Sequence, residues 1–102
     1  MATYVTLFHF TDKGIQEVAD TVARADHFIE SAKKAKVQVK DIYWTLGPYD
    51  GIVIFEAEGD EAATALMLGL AARGFVKPQT LRAFTRSEIA SILPKGAAKK
   101  NR

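Results

Sequence analysis

The spacing of apolar residues changes between two periods along this chain, and each change predicts the start of a new element. Residues 3–11 are β-branched and aromatic, which predicts a strand with alternating faces. An apolar stripe at helical spacing then predicts a helix over 13–36. The stripe consists of Ile15, Val18, Ala19, Val22, Ile29 and Ala32, with Arg24 and His27 off it. The same patterns predict strands over 37–46, 51–57 and 75–84, and helices over 61–73 and 87–93.

Residues 44–55 contain two apolar runs joined by Gly47, Pro48, Tyr49 and Asp50, which predicts a β-hairpin. Other turn and capping residues bound the remaining elements. We expect Asp60 and Thr85 to be helix N-caps, Gly74 to end a helix and Pro78 to mark either a bulge or an edge position.

The predicted order is βαββαβ followed by a short helix. This order is typical of an α+β, ferredoxin-like sandwich, with a four-stranded antiparallel sheet and both main helices on one face. We expect one such domain over residues 1–94 and a basic, disordered tail over 95–102.

The sheet face away from the helices is expected to be apolar as well. If Leu46 pairs with Gly51, one face carries Tyr43, Thr45, Ile52, Ile54 and Glu56, and the helix side carries Ile42, Trp44, Val53 and Phe55. A large bare apolar face is unusual in a monomer. We therefore expect two copies to pack as a dimeric α/β barrel. The helix over 61–73, apolar around its circumference, allows a higher oligomer.

Charge and composition exclude several classes of function. Of 102 residues, 14 are basic and 12 acidic, but Lys95, Lys99, Lys100 and Arg102 lie in the tail, so the domain itself carries a net negative charge. This distribution argues against specific nucleic-acid binding. Cysteine is absent, which excludes disulfides and thiol nucleophiles. With neither a membrane-length apolar segment nor a signal-peptide pattern, we expect a cytoplasmic protein that makes no membrane contact.

The predicted turn holds the first candidates for chemistry. Asp50 is either a base or ligand anchor, or a turn residue that binds nearby backbone N–H groups. Tyr49 beside it is either a hydroxyl donor to a ligand or an apolar lid. His9, on the first strand, is either a general base within the barrel or a structural histidine.

Further candidates lie outside the turn. Tyr43 and Thr45 are expected to share the barrel-facing side and to contact a ligand together with Tyr49 and Arg82. Arg82 otherwise forms a salt bridge with Glu56, Asp41 or another subunit, and Arg24 a surface or interface ion pair. His27 has no partner at metal-ligand spacing, so we expect no metal site and no cofactor.

Several segments together resemble the GYD domain family, which is named for a Gly, a Tyr and an Asp in this turn. Here these are Gly47, Tyr49 and Asp50. The segments that carry the resemblance are 43–53, 56–57, 60–63, 10–15, Arg24 and 80–85. The resemblance spans about residues 3–90 and implies a dimeric α/β barrel in a family whose functions are largely unknown. Related barrels include cofactor-free monooxygenases, isomerases and stress-response proteins.

Three functions remain open. The first is an oligomeric, non-enzymatic or regulatory module whose barrel binds a small apolar or aromatic ligand. The second is a cofactor-independent monooxygenase or isomerase with His9 or Asp50 as the base. The third is a structural assembly subunit.

Overall fold

A four-stranded antiparallel sheet is the centre of the computed structural model, which describes residues 1–94. Its strands are β1 (Ala2–Phe10), β2 (Gln38–Trp44), β3 (Gly51–Ala57) and β4 (Val76–Ala83). The helices are α1 (Asp12–Gln16), α2 (Thr21–Lys34), α3 (Asp60–Ala72) and α4 (Arg86–Ile92), with a 3-10 turn at Val18–Asp20. The predicted tail over 95–102 lies outside the described residues.

The strands lie in the order β2-β3-β1-β4, and every neighbouring pair is antiparallel. This is the order of a ferredoxin-like sandwich, so the predicted α+β fold is confirmed. β4 is an edge strand, one of the two positions that Pro78 indicated, because the proline ring has no N–H to offer a further strand.

The core lies between the helices and one face of the sheet. Tyr4, Thr6 and Phe8 of β1 point into it, while the residues between them face the other way. The Tyr4 ring stacks on Phe55 of β3 with centroids 5.3 Å apart. Thr6 is fully buried, and its hydroxyl lies 2.9 Å from the hydroxyl of Thr80 and 3.3 Å from the Met67 sulfur. The core also contains Phe28, Ala32, Val37, Val53, Ala57 and Ala63.

The single helix predicted over 13–36 is wrong, because the chain breaks after α1 and resumes at Thr21. Contacts across the fold hold the first turn in place. The Thr11 hydroxyl accepts the Gly14 N–H at 3.0 Å and donates to the Gly74 carbonyl at 2.6 Å. The Thr11 N–H donates to the Phe75 carbonyl at 3.1 Å. A Cβ at Gly14 would overlap that same carbonyl, so this close approach requires glycine.

The break resets the helical phase and changes which residues face the sheet. Ile15, Val18 and Val22 of the predicted stripe are exposed, whereas Phe28 and Ala32 of α2 are buried. Arg24, predicted to lie off the apolar stripe, is half-buried and faces the core side. His27 is exposed, as its position off the stripe predicted.

The hairpin differs from the prediction by a register shift of two residues. Gly51 pairs with Trp44 rather than Leu46, and β2 also contains a bulge between Val39 and Asp41. Because side chains alternate with a period of two, this shift leaves the predicted faces of β3 and of residues 42–44 unchanged. Thr45, however, lies beyond the strand, in the loop.

The helix ends were predicted more closely. Gly74 ends α3 with a φ of +86°, and Thr85 caps α4, as expected. Asp60 is the first helical residue rather than the cap, since the capping position belongs to Gly59.

Candidate functional site

The loop between β2 and β3 closes through two contacts at its base. The Thr45 N–H donates to the Asp50 carbonyl at 2.9 Å, and the Thr45 hydroxyl donates to the Tyr49 carbonyl at 2.6 Å. Gly47 has a φ of +118°, a conformation that favours glycine. Thr45 therefore stabilises the loop and does not share a strand face with Tyr43.

Asp50 connects this loop to the end of β1. Its N–H donates to the Phe8 carbonyl at 2.9 Å, and its Oδ2 accepts the Phe10 N–H at 2.8 Å. β3 begins only at Gly51, so the carboxylate takes the place of the next ladder acceptor. The geometry agrees with the structural interpretation of Asp50, in which the side chain binds backbone N–H groups.

His9 lies against the same loop. Its ring stacks on Tyr49 with centroids 4.8 Å apart, and its Nε2–H donates to the Pro48 carbonyl at 2.7 Å. Tyr49 covers the histidine as an apolar lid would. His9, Tyr49 and Asp50 thus lie together at one end of the sheet, with polar atoms of His9 and Asp50 bound to backbone.

The bare side of the sheet, which we call the open face, has an apolar centre. It is formed by Val5 and Leu7 of β1, Ile52 and Ile54 of β3, Tyr43 of β2 and Leu81 of β4. The four residues of the central strands are half-buried, while Tyr43 and Leu81 are each 53 % exposed. The rim is polar, with Asp41 and Glu56 on one side and Lys77 and Gln79 on another.

Arg82 lies on the helix side of β4, away from Tyr43, so these two predicted ligand contacts do not share a surface. Its guanidinium lies 3.5 Å from Glu88 and packs over Phe84 at 4.4 Å and Tyr4 at 5.7 Å. The predicted partners Glu56 and Asp41 are wrong, because their strand positions face the opposite side. The hydroxyl of Tyr4 donates to Asp60 at 2.6 Å, which raises the pKa of Tyr4.

Arg24 forms no ion pair within residues 1–94, so the predicted surface ion pair is not found there, and an ion pair with another subunit stays a prediction. Its Nη1 donates to the Glu17 carbonyl at 2.9 Å, and its guanidinium packs over Phe75 at 4.3 Å. Trp44 lies nearby and donates its indole N–H to the Thr21 hydroxyl at 3.1 Å. Periodicity alone could not place Arg24 in this cluster, because the helix break determines which way the side chain faces. A lone arginine among apolar neighbours was the available signal.

Two further findings bear on the site. Among the described residues, no three His, Asp or Glu side chains lie close enough together to hold a metal ion. No helix in residues 1–94 combines the length and apolar character needed to cross a membrane.

The match to a known family covers nearly all of the described structure. Residues 4–93 match the GYD domain. The chain belongs to the GYD domain family. A relative in Thermus thermophilus is 32 % identical over 94 residues, covering 91 % of this chain and 99 % of the relative. That protein is named "Glutamine synthetase and cystathionine beta-lyase binding protein".

Each of the Gly, Tyr and Asp residues for which the GYD domain is named has a structural role in the hairpin. Gly47 supplies the left-handed backbone, Tyr49 stacks on His9, and Asp50 extends the β1 ladder. All three contacts shape the loop and fasten it to β1. The turn by itself therefore offers an architectural role rather than a reaction.

Proposed function

We propose that this GYD domain is a non-catalytic binding module that self-associates through its open face and, once assembled, binds partner enzymes. The observation that carries the proposal is the apolar centre of the open face, which spans all four strands and which no described helix covers. A contiguous apolar surface of this kind is unusual unless it binds something.

The arrangement of the open face suits a second copy of itself. Rows of apolar residues lie in the middle, and charged or polar groups surround them, which is the pattern of protein interfaces. Asp41 and Glu56 give one part of the rim negative charge, and Lys77 gives another part positive charge. Opposite charges at the rim would favour one relative orientation of two copies. The result would be the dimeric α/β barrel predicted from the sequence.

Binding suits this surface better than catalysis does. Both candidate bases are bound to backbone groups, His9 to the Pro48 carbonyl and Asp50 to the Phe10 N–H. Tyr43 is the one ionisable group among the six apolar-centre residues. The same apolar lining also supports binding of a small apolar or aromatic ligand between two open faces. Turnover that disappears in His9→Gln would instead favour the cofactor-independent enzyme.

The proposed enzyme partners follow from the name of the Thermus thermophilus relative. The surface we assign to them is the exposed side of α3, where Leu68 is 66 % exposed among small residues. This surface lies on the helix layer, so it stays accessible when two open faces meet. The same surface would serve a structural assembly subunit, the third function predicted from the sequence.

The oligomer is tested by light scattering coupled to size-exclusion chromatography. Leu81→Glu places a charge in the open face at an exposed edge position, where the monomer tolerates it. We expect a dimer or larger assembly for the wild type and a monomer for Leu81→Glu. Leu68→Glu is the matched control, a charge on a leucine of α3 that is 66 % exposed against 53 % for Leu81, and should remain dimeric. A monomeric wild type at micromolar concentration would overturn the proposed interface.

The partner is tested separately by biolayer interferometry with the host's purified glutamine synthetase and cystathionine β-lyase. Wild type should bind at least one of them, and Leu68→Glu should bind at least tenfold more weakly. An unrelated dehydrogenase of the same host serves as the control analyte. Equal affinity of wild type and Leu68→Glu would exclude α3 as the contact surface. Absence of binding to both enzymes would overturn the proposed partners.

A further inference from the structure

A small cavity lies on the helix side of the sheet, opposite to the open face. Its volume is about 70 Å³, and it lies between α2, the end of α3 and the sheet. Aromatic and aliphatic side chains form most of its wall, among them Phe8, Phe28, Trp44, Leu70 and Phe75. No carboxylate side chain lines it. Its lining, apolar with a few polar groups, is that of a small-molecule site, although such sites are usually larger.

The one unsatisfied polar atom in this wall belongs to Arg24. Nη1 is bound to the Glu17 carbonyl and the guanidinium plane packs over Phe75, so the side chain is held from two sides. Nη2 is buried and has no hydrogen-bond partner within residues 1–94. A buried donor on a charged group without an acceptor costs free energy, and an acceptor supplied by a ligand would remove that cost.

Two further basic residues belong to this part of the structure. The Lys13 ammonium packs on the same ring at 4.3 Å and lies 3.4 Å from the Arg73 carbonyl, and Arg73 itself lines the cavity. Neither these two residues nor Arg24 forms a salt bridge with any described carboxylate; the described pairs are Lys33–Glu30 and Arg82–Glu88. The cavity wall is thus mostly apolar, and its two basic residues, Arg24 and Arg73, have no described carboxylate as a partner.

We propose that this cavity binds a small aliphatic carboxylate, with its hydrocarbon body among the aromatic rings and its carboxylate on Arg24 Nη2. The volume sets the size, because a cavity of about 150 Å³ holds benzene and this one has roughly half that volume. A body of about three or four carbons fits such a space. A free amino acid is disfavoured, because no carboxylate lines the cavity to bind its ammonium group. This site goes beyond the proposed function, since it uses neither the open face nor the exposed side of α3.

Trp44 provides a direct measurement, because it is the single tryptophan of the chain and lines the cavity. The probe is sodium 3-methylbutanoate, titrated at constant ionic strength while tryptophan fluorescence is recorded. We expect a saturable change. Acetate lacks the apolar body, 3-methylbutan-1-ol lacks the charge, and leucine adds the ammonium group. Each of the three should bind at least tenfold more weakly.

Variants then identify the residue responsible. Arg24→Gln should weaken 3-methylbutanoate at least tenfold while leaving binding of the neutral alcohol unchanged. Arg24→Lys keeps the charge and replaces Arg24→Gln in the test if that variant unfolds. Its affinity for 3-methylbutanoate should lie between those of wild type and Arg24→Gln. Arg86→Gln, an exposed change at the start of α4, is the matched control and should bind as wild type does. Leu81→Glu should also bind normally, which separates this test from the proposed dimer.

Three results would overturn the site. The first is an unsaturable response of Trp44 to 3-methylbutanoate. The second is equal affinity for the acid and the alcohol, which would leave a merely apolar cavity. The third is an Arg24→Gln variant that is folded by circular dichroism and binds as tightly as wild type. None of these depends on whether the chain dimerises or binds an enzyme.

Discussion

Asp50 provides β1 with the hydrogen-bond acceptor that a further residue of β3 would otherwise provide. The Phe10 N–H points towards β3 at a level where that strand has not yet begun, and Asp50 Oδ2 accepts it at 2.8 Å. The same residue bonds Phe8 through its own N–H. One side chain therefore fastens the hairpin loop to the neighbouring strand, and its contribution is to stability.

Replacing Asp50 by alanine should leave the Phe10 N–H without an acceptor and lower the free energy of unfolding by about 1–3 kcal/mol. Asp50→Asn keeps a carbonyl acceptor and should cost less than Asp50→Ala. Urea unfolding monitored by circular dichroism measures both. Glu58→Ala, at an exposed position between β3 and α3, is the control and should change the value by less than about 0.5 kcal/mol. Equal stability of Asp50→Ala and wild type would refute the role assigned to this carboxylate.

Gly51 is required for a different reason, since the ring of Phe8 occupies the space where its Cβ would lie. The backbone carbonyl of Tyr43 is also only 2.7 Å from that position. Gly51→Ala should therefore destabilise the fold by about 1–3 kcal/mol through overpacking. Adding Phe8→Leu removes the outer ring atoms, so the double variant should lose less than the sum of the two single changes. Strictly additive losses in urea unfolding would contradict the clash.

At the scale of elements, periodicity predicted the faces of single strands better than it predicted the contacts between elements. The faces of β1 and β3 were predictable, because alternation with a period of two survives a register error of two residues. The break before α2 was not. It depends on Thr11 and Gly14 contacting residues 74 and 75, about 60 positions away in the chain. Arg24 was misplaced for the same reason.

The candidate residues of the hairpin show the same difference between local structure, which the sequence predicts, and contacts with other elements, which it does not. A turn at Gly47–Asp50 followed from residue types, and so did the two interpretations of Asp50. Which interpretation holds depends on the Phe10 N–H, a group from another strand that no local pattern identifies. Likewise, Arg82 was expected to pair with Glu56, Asp41 or another subunit, but within the described residues its partner is Glu88 of α4.

Helix α4 carries a pH-dependent contact at its start. Thr85 and Glu88 form a capping box, with the Thr85 N–H 2.8 Å from Glu88 Oε1 and the Glu88 N–H 3.1 Å from the Thr85 hydroxyl. The hydrogen bond from the Thr85 backbone is the main cause that lowers the pKa of Glu88, and Arg82 adds to it. Glu88 therefore favours the folded state in its ionised form.

The sign of the effect follows from that lowered pKa. Glu88 contributes fully at pH above its ordinary value of 4.5, and the contribution disappears as the pH falls through the lower folded value. We expect the amide protection of Ile89 and Ser91 to decrease over that acidic window in hydrogen-exchange measurements. Glu88→Gln removes the titrating group, so α4 in that variant should show no such step. Titration of the Glu88 carboxyl at or above 4.5 would contradict the capping geometry.

At the scale of the whole molecule, the core is small for the size of the sheet. Ten apolar residues within 1–94 are buried, and three of them are alanines, while the open face leaves Tyr43 and Leu81 half in solvent. A small domain buries a limited share of its surface and gains stability from association. The proposed dimer would therefore complete the fold as well as create a binding module.

This coupling predicts that stability depends on protein concentration. If two open faces associate, each tenfold rise in concentration should add about 1.4 kcal/mol to the free energy of unfolding of the dimer, because dissociation accompanies unfolding. The midpoint of thermal unfolding should accordingly rise with concentration in the wild type and in Leu68→Glu. It should stay constant in Leu81→Glu, which lacks the interface. Scanning calorimetry over a hundredfold concentration range measures all three, and a wild-type midpoint that does not move would show that the sheet is stable with its open face bare.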